Sequence, residues 1–393
     1  MQALQGIRVV DFTQMMLGPF ATQYLGDMGA DVVKIERPVH GEWERGLKAS
    51  GQLLDGTSPF FLAMNRNKRS LSLNLKAEEG REIVRRLVAE ADVVVENFRP
   101  GVMDKLGLGY EDMRRINPKI VYASGSGYGP SGPYLSRPGQ DLLIQALSGL
   151  LAQNGSADRP PVPVACSIID ASTALSLALG IMFALFHRER TGEGQKVDVS
   201  LFDTALAVQC QELVAHANLP RKAERSEAGI GAPWLSAPFG VYGTADGSVA
   251  ISINALDAVG TALGLPELAT YADEVAAYEE RDTVRRIIAE GIRDRTTADV
   301  VGTLLEHDLW CAEVHDFDDV LADPQVAHNR MIVEVDHPSQ GRLRMTGIPI
   351  TLSGTPGSVR LSPPAVGEHT DAILGELGYG EAERARLHEA GVI

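Results

Sequence analysis

The chain has 393 residues, enough for two or three domains, and 44% of them are hydrophobic, so it carries material for a core and is not disordered by composition. Lys and Arg number 36 against 52 Asp and Glu, a net charge of −16. That surplus repels phosphate backbones and argues against nucleic-acid binding, but a cleft with a few local cations could still hold a small anion.

Ile7 to Asp11 is a short β-branched run and predicts a strand. Phe20 to Met28 has helical spacing and stops at Gly29, and Asp31 to Ile35 is a second apolar run. Strand, helix and strand in such close order form a βαβ unit, which implies a parallel sheet with a right-handed crossover. Leu71, Leu73 and Leu75 alternate with polar residues as in a half-buried strand. A helix is predicted over Glu78 to Glu90, a buried strand at Val93 to Val95, a short helix over Tyr110 to Ile116 and a strand over Lys119 to Ser124. Residues 1 to about 125 therefore read as an open, mostly parallel α/β domain.

Helical patterns follow over Asp141 to Leu151 and Asp170 to Arg188, then a strand over Gln195 to Leu201 and a helix over Asp203 to Ala217. The most apolar stretch, Ala174 to Phe186, is too short to span a bilayer and predicts a buried helix, so no membrane partner is expected. Pro220 to Pro238 is rich in Pro, Gly and charge and reads as a linker or mobile loop. Val241 to Thr244, a turn at Ala245-Asp246-Gly247 and Val249 to Ile253 read as a hairpin. Residues 255 to about 325 look helical and acidic, so 226 to 330 reads as a second, smaller α+β domain. Met331 to Val335 and Arg342 to Ile350 predict strands, and the tail after Gly367 predicts helices.

The three cysteines, Cys166, Cys210 and Cys311, form no C-x-x-C pair, which argues against a zinc ribbon or disulfide framework and suits a reducing cytoplasm. Residues Met1 to Gly6 hold no basic region leading into an apolar stretch, so no secretory signal is expected. The nine histidines show no metal-binding spacing, and no metal is expected.

Gly127-Tyr-Gly129-Pro-Ser-Gly132 matches G-x-G-x-x-G after a strand, but Pro130 and Pro133 interrupt it and no helix starts at its end. A glycine-rich active-site loop suits it better than a dinucleotide site. No P-loop and no intact G-x-S-x-G nucleophile elbow occurs. Asp170 lies between an apolar run and a long apolar helix. One reading makes it the helix N-cap; the other makes it a carboxylate nucleophile held at the positive helix end within an apolar wall. Asn65-Arg66-Asn67-Lys68-Arg69 is the densest basic patch and reads most simply as solvated surface. Arg37 and Asn97-Phe98 both follow parallel-strand candidates, where open α/β sheets bind ligands.

Taken together, these segments resemble the class III CoA-transferases, the superfamily of formyl-CoA transferase, carnitine CoA-transferase and α-methylacyl-CoA racemase. The resemblance is carried by Asp11-Phe-Thr with Gly18-Pro19, Leu25-Gly-Asp-Met-Gly-Ala-Asp-Val-Val-Lys-Ile-Glu-Arg37-Pro38 and Asn67-Lys68-Arg69-Ser70-Leu71. It continues through Asp92-Val-Val-Val-Glu-Asn97-Phe98 with Pro100-Gly101, Asn117-Pro118, Gly127-Tyr128-Gly129, Gly139-Gln-Asp-Leu-Leu-Ile-Gln145-Ala146 and Thr191-Gly192-Glu-Gly194-Gln195. It ends on Gly367-Glu-His369-Thr370 with Leu377-Gly378. These matches are ordered and cover nearly the whole chain.

The resemblance implies an α/β fold: a Rossmann-like large domain binding coenzyme A over 1–225, completed by 331–393, and a smaller α+β domain over 226–330. It implies an obligate, interlocked homodimer in the cytoplasm. The family's nucleophilic aspartate falls on Asp170. Coenzyme A contacts carry over to Met16, Arg37, Leu73, Lys76, Asn97, Phe98, Lys105, Arg137 and Gln140. Lys105 stands where an arginine is common and keeps the charge without the fork. Met16 replaces a glutamine associated with the oxalate enzymes, and Asp141 falls where those enzymes carry a second carboxylate. A mobile glycine loop would lie near Gly229-Ile230-Gly231, although the stretch is shorter and poorer in glycine than the family version.

The implied activity is transfer of coenzyme A, as substrate rather than bound cofactor, from an acyl-CoA to a free carboxylic acid through anhydride and thioester intermediates on Asp170. The alternative is racemisation of an α-methylacyl-CoA, in which a histidine precedes the aspartate of a Gly-His-Asp segment; Gln140 stands there and cannot take a proton near pH 7. A non-catalytic coenzyme A-binding protein is a third reading, disfavoured by Asp170. Trp43, Trp234 and Tyr242 are candidates for the acyl pocket or for core packing. Through Lys76 the chain holds nine basic and seven acidic residues, a surplus of +2, which leaves −18 for residues 77–393. The mildly basic segment is also the one that bears most of the implied contacts.

Overall fold

The computed structural model describes residues 1–229 and 231–393. It contains two compact units, Met1–Ile144 with Ser167–Ala205 and Pro324–Ile393, and Gln145–Cys166 with Leu206–Asp323.

The first unit is built on a six-stranded parallel sheet. Its strands are β1 (Arg8–Asp11), β2 (Asp31–Glu36), β3 (Lys68–Ser72), β4 (Val93–Glu96), β5 (Val121–Ser126) and β6 (Lys196–Ser200). Their spatial order is β3-β2-β1-β4-β5-β6, with every neighbour parallel. This is the doubly wound order, in which the chain reverses direction across the sheet between β1 and β4 and leaves a crevice at their carboxyl ends. Central strands of such a sheet are covered on both faces, which is why Val93, Val94 and Val95 are a continuous β-branched run and are all fully buried.

The chain's end completes this core. Ile373, Leu374, Leu387, Val392 and Ile393 pack with Val10, Leu71, Ile83 and Val94. The Gly367–Thr370 segment is fastened to β3: Thr370 Oγ1 accepts from the Ser72 N–H at 3.0 Å, and the His369 N–H donates to the Ser70 carbonyl at 3.0 Å. A separate hairpin, β7 (Ile332–His337) and β8 (Gly341–Thr346), packs Leu343 and Met345 on Phe61 and Leu62.

Strand β3 differs from its expected position. It covers Lys68–Ser72 rather than the Leu71–Leu75 alternation, pairing Val32 with Lys68 through to Glu36 with Ser72. Periodicity misplaced it because Lys68 and Ser70 are polar yet buried, held by Asp11, Asn65 and Glu36. Leu73 and Leu75 instead leave the sheet and turn towards a cavity.

The Ile168–Thr191 helix packs on β5, β6 and the Leu17–Asp27 helix. It agrees with the helical pattern read over Asp170 to Arg188 and corrects the expectation that its apolar core is buried. It has 24 residues and is long and apolar enough to cross a membrane by length and composition, and much of it is exposed in the single chain. Ile169, Thr173, Leu177, Ile181 and Ala184 form the buried face, whereas Leu175, Leu179, Met182, Phe183 and Phe186 are exposed.

The second unit has a three-stranded antiparallel sheet of Gly240–Gly243, Ser248–Ile251 and Cys311–Glu313. The third of these strands lies within the stretch read as helical. Val249, Ile251, Val259, Val284, Ile288 and Leu304 form its core. This unit starts earlier than the expected boundary at 226. Residues 145–166 and 206–225 belong to it because they bond to each other and to its chain: Gln209 Nε2 donates to the Ser148 carbonyl at 3.3 Å, and the Ala157 N–H donates to the Ser226 carbonyl at 2.9 Å. Residues 324–330 fall in the first unit. The expected glycine loop includes Ile230, which lies outside the described residues.

Candidate active site

Asp170 sits in the first turn of the Ile168–Thr191 helix, and it is not the cap. Ser167 occupies the N-cap position without a side-chain cap bond. The capping carboxylate comes from Asp141, whose Oδ2 accepts from the Ile169 N–H at 2.7 Å and the Asp170 N–H at 3.0 Å. The N-cap reading of Asp170 is thereby overturned: another segment satisfies the helix's free N–H groups, and the Asp170 carboxylate accepts no hydrogen bond among the described residues.

The electrostatics also differ from a carboxylate stabilised by a helix end. Burial, and then the charge of Asp141, push the Asp170 carboxyl up to about 7. A half-buried carboxylate without donors is poorly solvated and correspondingly reactive when ionised.

Asp141 is positioned by the glycine-rich segment before it. Gly127 and Gly139 cross backbone to backbone: a Cβ on Gly127 would lie 2.7 Å from the Gly139 Cα. Gly129 and Gly132 have positive φ, and the next helix starts only at Asp141. A pyrophosphate-binding helix end is therefore absent from the G-x-G-x-x-G segment. Tyr134 packs edge to face against Tyr128 and Phe202 beside it, and those two rings are tilted to each other.

A cavity of about 440 Å³ opens at the carboxyl ends of β1 to β4. Phe12 and Gln14 follow β1, Arg37 follows β2, Leu73 and Lys76 follow β3, and Phe98, Val102 and Lys105 follow β4. Its walls are apolar through Phe12, Ile35, Leu73, Leu75, Phe98 and Leu106. Arg37, Lys76 and Lys105 are exposed at it, and none makes an ion pair among the described residues. Arg37 Nε donates to the Gly41 carbonyl at 2.6 Å, which fixes the guanidinium while its terminal nitrogens remain available. Gly41 takes φ +62°, and a Cβ there would meet the Glu36 carboxylate at 2.6 Å.

Five of the nine expected coenzyme A contacts thus line one cavity: Arg37, Leu73, Lys76, Phe98 and Lys105. Asn97 stands at the reversal between β1 and β4, where it spends its amide on backbone. Its Oδ1 accepts from the Gln14 N–H at 2.8 Å and its Nδ2 donates to the Gln14 carbonyl at 2.7 Å. Met16 is half-buried at the start of the Leu17–Asp27 helix. Arg137 and Gln140 are exposed beside the glycine-rich segment, with the Arg137 guanidinium 4.0 Å over the Tyr134 ring, and neither lines the cavity. Trp43 lines it and is half exposed, while Tyr242 is core of the second unit, donating to the Pro238 carbonyl at 2.7 Å. Trp234 lines a different cavity, of about 360 Å³, in the second unit.

The basic patch Asn65–Arg69 is not solvated surface, nor does it reach the cavity. Arg66 donates to Asp27 Oδ1 at 3.0 Å through Nε and to Oδ2 at 2.8 Å through Nη2. Lys68 Nζ pairs with Asp11 at 3.1 Å and donates to Asn65 Oδ1 at 2.9 Å, and burial pulls the ammonium down to about 8. Sequence reasoning also missed Glu42, which lines the cavity beside Trp43; only the aromatic residue carried a signal. Among the described residues no three His, Cys, Asp or Glu side chains converge as a metal-binding group.

A family description of CoA-transferase family III matches residues 4–370. The chain is 34% identical to a formyl-CoA:oxalate CoA-transferase of Streptomyces coelicolor, covering 100% of this chain and 99% of that protein. It is 34% identical to a succinyl-CoA:glutarate CoA-transferase of Mus musculus, covering 100% of this chain and 91% of that protein. Among solved structures, a CAIB/BAIF family protein from Brucella suis superposes with a TM-score of 0.85 at 34% identity, covering 96% of this chain and 99% of that one.

Proposed function

From the premise that the chain belongs to CoA-transferase family III, we propose that it moves coenzyme A from an acyl-CoA to a free carboxylic acid through covalent intermediates on Asp170. The observation that carries this is the uncommitted Asp170 carboxyl, relieved of capping by Asp141 and held at about 7.

The ionised Asp170 attacks the thioester carbonyl and expels the coenzyme A thiolate, leaving a mixed anhydride. The thiolate attacks the aspartyl carbonyl of that anhydride, releasing the first acid as a carboxylate and leaving an aspartyl thioester. The incoming carboxylate attacks this thioester and again expels the thiolate, forming a second anhydride. Attack of the thiolate on the substrate-side carbonyl yields the new acyl-CoA and returns Asp170 as carboxylate. Each intermediate is open to hydrolysis, so the site must exclude water. Arg37, Lys76 and Lys105 supply positive charge for the phosphates of the ligand, and the apolar cavity walls take its less polar parts.

The active form in this reading is a homodimer in the cytoplasm. Its support is the exposed stripe Leu175, Leu179, Met182, Phe183 and Phe186, an apolar helix face that a second copy would cover. Phe183 and Phe186 are 64% and 65% exposed in the single chain. Sedimentation of Phe183→Glu as a monomer, against a wild-type dimer, is the expected outcome.

The test of the reaction is label exchange between an acyl-CoA and a free acid. Asp170→Asn is expected to abolish exchange while remaining folded, and the wild type incubated with acyl-CoA and hydroxylamine should yield a hydroxamate at Asp170 by mass spectrometry. Full exchange in Asp170→Asn would overturn the nucleophile assignment.

A further inference from the structure

Strand β2 runs Asp31-Val-Val-Lys34-Ile-Glu36, and Lys34 is fully buried in it, between Val33 and Ile35 and opposite Asp11 of β1. An ammonium in such a place is costly, and an apolar side chain would fill a central strand more cheaply. Burial weakens its hold on the proton, but Glu42, Asp11 and Glu36 more than offset this and keep it charged. The ammonium pairs with Glu42 at 3.1 Å and donates to the Thr13 carbonyl at 2.8 Å.

Thr13 belongs to the connection that leaves β1 where the sheet reverses. The strand has ended there and the Leu17–Asp27 helix has not begun, so the backbone groups need partners from elsewhere. The Phe12 N–H donates to the Val95 carbonyl at 2.8 Å and the Thr13 N–H to Asp11 Oδ1 at 2.8 Å. Asn97 holds both the N–H and the carbonyl of Gln14. Lys34 supplies the partner of the Thr13 carbonyl. Met15 follows at φ +62°, a left-handed conformation that a non-glycine residue keeps only where its surroundings impose it. The Thr13 hydroxyl is turned to Asp11, while Phe12 and Gln14 on either side of it line the 440 Å³ cavity.

We propose that Lys34 is a positioning residue for coenzyme A: by holding the Thr13 carbonyl it sets Phe12 and Gln14 as one wall of the cavity. This rests on the reading of the cavity as the coenzyme A site. Lys34 is itself fully buried and does not line the cavity, so it acts through the backbone. Without it the Thr13 carbonyl has no donor, and the wall can shift while the strands beneath stay paired. The wall meets parts of the ligand that do not react, so its loss weakens ground state and transition state alike: KM rises and kcat stays.

Steady-state kinetics with an acyl-CoA and calorimetric titration with coenzyme A test this. Lys34→Met is expected to raise KM and the coenzyme A Kd about tenfold, with kcat within about twofold of the wild type. Lys34→Met with Glu42→Gln removes the ammonium together with its buried partner; it serves if the single variant does not fold, and the same split is expected. A merely structural lysine would lower the melting temperature or the active fraction and leave KM and Kd where they are, and that result would overturn the proposal. Arg37→Ala separates the proposal from its premise. Unchanged affinity in the Lys34 variants beside a tenfold loss in Arg37→Ala would overturn the role of Lys34 alone, whereas unchanged affinity in both would overturn the reading of the cavity and the proposal with it.

Discussion

Arg66 and Lys68 are almost completely buried with Asp27 and Asp11 as partners, whereas Arg37, Lys76 and Lys105 stand exposed at a cavity with no carboxylate partner among the described residues. All five lie in the first unit. The buried pair has its charge and its hydrogen bonds satisfied by the chain itself, so it holds the fold and has nothing left for a ligand. The exposed trio retains its charge for an anion from solution. The same division separates the anions: Asp27 and Asp141 are satisfied by the protein, and Asp170 is not. Charge density along the sequence pointed at the buried cluster; pairing in space points at the cavity.

The comparison breaks first at Asp27. Asp27→Ala leaves the Arg66 guanidinium buried without its counter-ion and is expected to cost about 3–5 kcal/mol of stability in urea unfolding. Arg37→Ala should change stability by less than about 0.5 kcal/mol in the same measurement. A harmless Asp27→Ala would mean that the buried cluster is not what holds this region together.

Arg37→Ala, Lys76→Ala and Lys105→Ala should each weaken coenzyme A binding by about 1–2 kcal/mol, roughly tenfold, with an unchanged melting temperature. Raising the salt concentration should weaken binding in the wild type more steeply than in these variants. Equal salt dependence would place the phosphates elsewhere.

Asp170 sharpens the anionic side. Its folded-state value is raised from 3.8 to about 7, so the folded chain holds a proton that the unfolded chain has released. The stability this contributes is present below pH 3.8 and is lost as the pH rises through about 7. Asp170→Asn should therefore be more stable than the wild type at pH 8, by about 1–3 kcal/mol, with the gain fading towards pH 4. Activity should move the opposite way, kcat/KM rising through about pH 7 as the nucleophile ionises. An inactive variant without that stability gain would contradict the unsatisfied burial of Asp170.

Much of this was legible in the residues. The β-branched runs at Val93–Val95 and the βαβ opening identify a parallel sheet, because a strand buried on both faces needs apolar side chains on both. The ordered motifs identify the family and single out Asp170 and the strand-end residues Arg37 and Asn97. The unit boundaries and the strand at Lys68–Ser72 were not legible, since both depend on polar groups satisfied by distant partners.

The sequence by itself determined the sheet class, the family and the list of candidate residues, because these rest on local patterns and ordered motifs. Only the tertiary structure decided which charges are spent. Asp141 relieves Asp170 of the cap across 29 positions, and Asp27 neutralises Arg66 across 39. Whether a charged group is structural or free for chemistry depends on what lies within about 3 Å of it, and that distance is set by folding rather than by order along the chain.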